Sequence, residues 1–196
     1  MSIVRTWLSI VVVGCSTAIV CAQAEVRLES EKSELAPGES TVVRMYAAFP
    51  PAEFAFAGIV TDLLSSTGSS GWSDFGIPAA LRAPGSSDGT PTAMGIEQII
   101  AGQIYFPPAG PWPDLSNPML FWEGTYTAPR DVSVPFDLSL ATQTTRFDTY
   151  FSMHEFGTRS HIVGLIEGEG TIRVVPAPAS LALVVMGGAT VSRRRR

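Results

Sequence analysis

The chain has 196 residues, with 13 Lys and Arg against 18 Asp and Glu and a formal net charge of −5, a length that fits one domain plus processing segments. Residues 25 to 175 carry eight basic side chains against all eighteen acidic ones, a net of −10. Such a surface repels phosphate backbones, which excludes nucleic acid as a partner class and leaves neutral or cation-bridged ligands.

The first stretch, MSIVRTWLSIVVVGCSTAIVCAQA, holds Arg5 as its one charge, an apolar run from Trp7 to about Val20, and the small-x-small triplet Ala22-Gln23-Ala24. That is the pattern of a secretory signal peptide cut before Glu25, so the Sec translocon and signal peptidase are the expected first partners. A buried N-terminal helix or an uncleaved anchor is the alternative. Val12-Val13-Gly14-Cys15 also resembles a bacterial lipobox, which would place a lipid on Cys15, although the chain stays apolar beyond that cysteine. Cys15 and Cys21 are the only cysteines, so a domain cut at Ala24 has neither disulfide nor thiol chemistry.

Strand patterns follow in chain order. EVRLES comes first, then the turn signal Ala36-Pro37-Gly38-Glu39 and STVVRMYAAF, in which Thr41, Val43, Met45, Ala47 and Phe49 share one side of a period-two ribbon. FAFAGIVTDLL is next, and the segments from Gly68 to Gly76 and from Ala83 to Thr92 read as exposed loops. IEQIIAGQIYF reads as a strand, with a short helix as the alternative because Ile96, Ile99 and Ile100 also fit a helical face. MLFWEGTYT, VPFDLSLATQ, TRFDTYF and GTIRVV complete the set; in the second of these Val134, Phe136, Leu138 and Leu140 point one way, and Pro135 marks a strand start or an edge. The expected fold is all-β, an antiparallel sandwich of about seven to nine strands over residues 25–175, flanked by an N-terminal signal helix and a C-terminal hydrophobic helix.

The stretch from Leu35 to Leu64, with Pro37-Gly38-Glu39, alternating Val42-Val43 and Phe56-Ala57-Gly58-Ile59, resembles the first strands of cohesin-like and carbohydrate-binding-module-like β-sandwiches. Phe121 to Leu140 resembles their later hairpin. The resemblance covers less than half of the domain and implies fold only.

The tail, residues 176–196, runs through two prolines and 14 uncharged residues, Ala179 to Ser192, into Arg193, Arg194, Arg195 and Arg196. As a helix those uncharged residues span about 21 Å, against a hydrocarbon core of about 30 Å. Physics alone makes it a marginal anchor. The terminal arginines set its direction, because clustered basic residues stay on the cytoplasmic side and put the preceding domain outside. Val175-Pro176-Ala177-Pro178, the short apolar helix and the arginine cluster together resemble a bacterial PEP-CTERM sorting signal. The resemblance implies Sec export, transient retention in the inner membrane of a Gram-negative-type bacterium, processing by an exosortase and release to the cell surface or extracellular matrix. Ala177 stands where the family's name has Glu, which leaves the cutting position open.

No catalytic residue is assigned from the sequence. His154 and His161 are seven apart and match no zinc spacing, and with Asp148 and Glu155 they could form a site only through tertiary contact. Neither Gly-x-Ser-x-Gly nor a phosphate-binding glycine loop occurs, and Asp88-Gly89 lacks the alternating carboxylates of a calcium loop. No cofactor is expected, calcium entering only as a bridge to an acidic glycan. The aromatics are the remaining lead. Trp112 sits between Pro111 and Pro113 and Trp72 in a Gly/Ser-rich segment, so both are candidate stacking platforms for an exopolysaccharide; the other reading of Trp112 is a cap on the end of the core. Trp122 alternates with Leu120 and reads as core. The expected function is that of an exported, non-enzymatic surface or matrix protein, structural or adhesive. The alternative is a secreted polysaccharide-binding module or polysaccharide-active enzyme, whose carboxylates would cluster in one deep pocket.

Overall fold

Eleven strands and one 3-10 turn, Ala79–Leu81, organise residues 23–107 and 110–176, the residues that the computed structural model describes. The smaller sheet is built from β1 (Glu25–Ser30), β3 (Ser40–Ala48), β8 (Met119–Thr127) and β5 (Trp72–Gly76), in that order. The larger sheet runs β2 (Glu34–Leu35), β11 (Glu169–Val174), β9 (Phe136–Tyr150), β4 (Ala55–Ser65), β7 (Gly95–Gly102) and β6 (Ser87–Pro91), with β10 (Thr158–Ser160) paired to the end of β9. All these pairings are antiparallel except β2 with β11. The two expected terminal helices fall on residues outside those described. Among the described residues no helix is long and apolar enough to cross a membrane.

Period-two patterning places the core between the sheets. In β3, Thr41, Val43, Met45 and Ala47 are buried and the residues between them are not, as the alternation predicts. Leu138 and Leu140 of β9 meet Phe56, Ile59 and Leu63 of β4 in the same core. Trp122, Tyr126, Phe121, Phe56 and Phe147 fill its middle, all fully buried, and each such ring contributes on the order of 1.5–3 kcal/mol relative to exposure.

Several expectations are corrected. VPFDLSLATQ and TRFDTYF are one 15-residue strand, β9, and Val134 lies outside it, 70% exposed. The polar middle that looked like a break is held by Glu167, whose carboxylate accepts from Thr142 Oγ1 (2.6 Å), Thr144 N (2.7 Å) and Thr144 Oγ1 (2.8 Å). The helix alternative for residues 96–103 gives way to strand β7. The two expected loops contain edge strands β5 and β6. In β8, pairing steps from Met45 with Trp122 to Tyr46 with Leu120, so Phe121 is the extra residue of a bulge; that is why Phe121 and Trp122 are both buried although they are neighbours.

Strand directions sort the connections into two groups. One end of the sandwich, here the exit end, gathers segments 31–39, 66–71, 92–94 and 128–135, and the chain leaves it after Val174, which pairs with Phe136. Tight turns close it. Gly95, the first residue of β7, has φ +142°, and a Cβ there would lie 2.0 Å from the Leu63 carbonyl oxygen, so only glycine fits at that position. The opposite end, here the loop end, gathers segments 49–54, 77–86, 103–118 and 151–157. Ala24 also lies there, buried, its carbonyl accepting from Ile166 N at 3.1 Å.

Candidate functional site

At the loop end the longest connection, residues 103–118, buries Gln103, Tyr105 and Pro113 and leaves most of its other described residues exposed. Two side-chain amides pin the rest of it. Gln103, 7% exposed, donates from Nε2 to Asp114 O (3.0 Å) and Phe56 O (2.6 Å) and accepts from Asp114 N (2.9 Å) through Oε1. Asn117 does the same to Phe49, donating to its carbonyl (2.8 Å) and accepting from its N–H (3.2 Å). Each amide thus imitates a strand partner, satisfying backbone groups that would otherwise be orphaned.

Trp112 stands on this pinned loop and is 58% exposed. Its ring rests against Tyr105 at a centroid distance of 5.7 Å, and Tyr105 is fully buried, with its hydroxyl donating to the Met153 carbonyl and its ring edge-on to Tyr150. Around it a hollow of about 440 Å³ is lined by Arg82, Ala83, Gln103, Ile104, Trp112 and Asp114, among others. A second hollow of about 250 Å³ shares Ala83 and Gln103 with the first. It continues over the outer face of the larger sheet, where Gly58 and Gly102 pair, towards Asp148 and Tyr150. The absence of side chains at those two glycines lowers the floor, because a Cβ on either would press within 3.2 Å of the facing backbone.

The charges along this trough are committed. Arg82 grips Asp88 with both terminal nitrogens (2.7 and 3.2 Å) and also donates to the Ile77 carbonyl. Burial pushes the Asp88 carboxyl up, but the Ile77 N–H and Arg82 outweigh it and hold the pKa below the usual range. Asp114 is held low by the Ser116 hydroxyl and the Ser116 N–H, both bonded to Oδ1 (2.7 and 2.9 Å). Asp148 is paired with Arg146.

The histidines do not meet. His161 is part of a buried cluster in which Thr149 Oγ1 donates to Glu53 Oε2 (3.0 Å) and lies 2.7 Å from His161 Nε2, while Arg159 donates to Glu53 Oε1 (2.6 Å). Its neighbours make it a latch for β10. His154 is exposed in the 151–157 connection. Among the described residues no group of three or more His, Cys, Asp and Glu is placed to hold a metal ion. Glu53, Gln103 and Asn117 were invisible to sequence reasoning, since a lone polar residue carries no periodic signal.

The two candidate tryptophans lie at opposite ends. Trp72 opens β5 at the exit end, pairs with Tyr126, and is only 9% exposed, its ring 5.5 Å from Tyr126 and 5.8 Å from Trp122. A ring packed inside the core has no free face for a ligand, so the stacking role expected there is corrected to core packing. Trp122 is core, as expected, and donates from Nε1 to Asp88 O at 3.0 Å. Of the sorting residues, Ala24, Val175 and Pro176 are described; Ala22, Ala177, Pro178 and the four terminal arginines lie outside.

No family model matches the sequence. No curated protein matches it either. Solved structures do. The chain superposes on the seventh ScaB type I cohesin from Pseudobacteroides cellulosolvens with a TM-score of 0.57 at 12% identity, covering 80% of this chain and 94% of that one. It also superposes on a chain of the Coh-OlpC-Doc435 complex, a type I cohesin–dockerin complex from Clostridium thermocellum, with a TM-score of 0.51 at 10% identity, covering 82% and 99%. At such identities the likeness is one of fold, and it is the two-sheet cohesin-like sandwich.

Proposed function

We propose that the protein is an exported, non-enzymatic surface or extracellular-matrix module, structural or adhesive, tethered at its exit end and presenting its loop end outward. In this reading residues 1–24 are removed by signal peptidase after Sec export, and residues 25–175 are the working sandwich. Residues 176–196 hold it transiently in the inner membrane until an exosortase cuts near Val175-Pro176-Ala177-Pro178. The observation that carries the reading is polarity. The chain leaves the sandwich beside Phe136, at the exit end, whereas the exposed rings of Phe106, Trp112 and Phe156 are on connections of the opposite end. A tail anchored at one end leaves those rings facing away from the membrane.

Two further points favour binding over catalysis. A two-carboxylate hydrolase needs both groups flanking one bond, and each of the two hollows is lined by a single carboxylate, Asp114 in one and Asp148 in the other. The Clostridium thermocellum neighbour is in a complex with a dockerin, a partner-binding use of the same fold. Intact-mass measurement of the protein recovered outside the cell tests the reading. A species that begins at Glu25 and lacks Arg193 to Arg196 is expected. A full-length secreted species overturns it, and a lipid mass on Cys15 replaces it with a lipoprotein.

A further inference from the structure

The geometry points to a binding site for a neutral polysaccharide chain in the trough that starts at Trp112 and runs past Gln103 onto the outer face of the larger sheet. This rests on the surface-module reading above and names its ligand class. An indole exposed over more than half its area, backed on one side by the buried Tyr105, offers a fixed flat apolar surface. The axial C–H face of a pyranose ring is the complementary surface in water, being apolar and flat while its hydroxyls point sideways. A hydrogen-bond acceptor, the Asp114 carboxylate, lines the same hollow. Asp114 spends Oδ1 on Ser116, and its Oδ2 takes no hydrogen bond among the described residues. An aspartate carboxyl is ionised at neutral pH, and hydrogen bonding to Ser116 lowers its pKa further, so it is an acceptor only.

Shape and charge narrow the class further. The two hollows share Ala83 and Gln103, so the site is elongated, as suits a chain of sugars better than a single one. The cations nearest it, Arg82 and Arg146, are already paired with Asp88 and Asp148. With a net of −10 over residues 25–175, nothing remains to attract an acidic glycan. Preorganisation also favours binding, because the Gln103 amide fixes the loop before a ligand arrives.

The test is calorimetric titration of the full chain with cellohexaose, mannohexaose and alginate, the last with and without calcium. Saturable binding of a neutral hexasaccharide is expected, weakened about tenfold in Trp112→Ala and largely retained in Trp112→Tyr, with the melting temperature of both variants near that of the wild type. Binding unchanged in Trp112→Ala overturns the site, as does binding to neither neutral probe. Binding to alginate alone, with calcium, overturns the ligand class. Because Trp112→Tyr keeps a ring, a misfolded alanine variant still leaves a readable comparison. A blank titration beside a correctly processed mass would remove the glycan and leave the surface-module reading standing.

Discussion

The two ends of the sandwich are closed by different physics. At the exit end a buried ring does the work: Trp72 packs at a tilt 5.5 Å from Tyr126 and 5.8 Å from Trp122, beneath short glycine turns. At the loop end, Tyr105 packs on Tyr150 and Phe54, but the long connections are in addition tied down by single polar side chains, Gln103 on Asp114, Asn117 on Phe49 and Glu53 on Arg159 and Thr149. Burial is non-directional and tolerates a simple turn, whereas hydrogen bonds fix a backbone at defined points and leave its other side chains free to face solvent. An end that must display Trp112 while holding it still needs the second kind of support.

The largest effect expected from breaking this comparison is at Trp72. Trp72→Ala removes a buried ring whose neighbours cannot collapse fully into the space, at a cost of about 3–5 kcal/mol, or a melting temperature lower by roughly 10 °C. A loss below about 1 kcal/mol in thermal unfolding would show that ring packing does not hold this end. Next comes Gln103→Ala, which strands the Phe56 carbonyl and both backbone groups of Asp114 and is expected to cost about 1–3 kcal/mol. Its signature is local: amide exchange at Asp114 should accelerate far more than exchange in β3. Uniform acceleration would mean that the loop is not pinned by the amide.

Trp112→Ala sharpens the contrast, being the same substitution on the same residue type at the other end. Its exposed ring should contribute under about 1 kcal/mol to stability, so equilibrium denaturation should place the variant close to the wild type. A cost comparable to that of Trp72→Ala would make Trp112 a cap on the core and remove the platform.

This contrast also governs what the sequence revealed. β1 and β8 match their sequence patterns residue for residue, and β3 and β4 differ only at their ends, because a half-buried strand imprints its period on the chain. The ring-closed end was partly legible. Trp122 and the bulk of the core were, but Trp72 was hidden because β5 is short and irregular, with Asp74 at φ +47° and a break in pairing after Ser73. The loop end was not legible, since Glu53 and Arg159 lie 106 positions apart and Asn117 and Phe49 lie 68 apart. A hydrogen bond between such residues leaves no spacing to read. What could be read there was Trp112 itself, from its two flanking prolines.

The smallest expected effect concerns the loop's own acidity. Asp114 has its pKa lowered from 3.8 by the Ser116 hydroxyl and N–H, so its carboxylate is favoured more in the folded loop than in the unfolded chain. The sign follows: the contribution is complete above the ordinary aspartate range and is lost as pH falls through the lowered folded-state value. Neutral and mildly acidic solutions should therefore leave the Trp112 loop unchanged, and loosening should appear only below about pH 4. Ser116→Ala removes the hydroxyl donor and should move the Asp114 titration, followed by the side-chain carboxyl signal in NMR, upward towards 3.8, while the Gln103 contacts persist. No core element touches this bond, so the global melting temperature at pH 7 should barely change. If Ser116→Ala leaves the titration where it was, the Ser116 hydroxyl does not hold the carboxylate, and the loop end keeps Trp112 in place through its two amides alone.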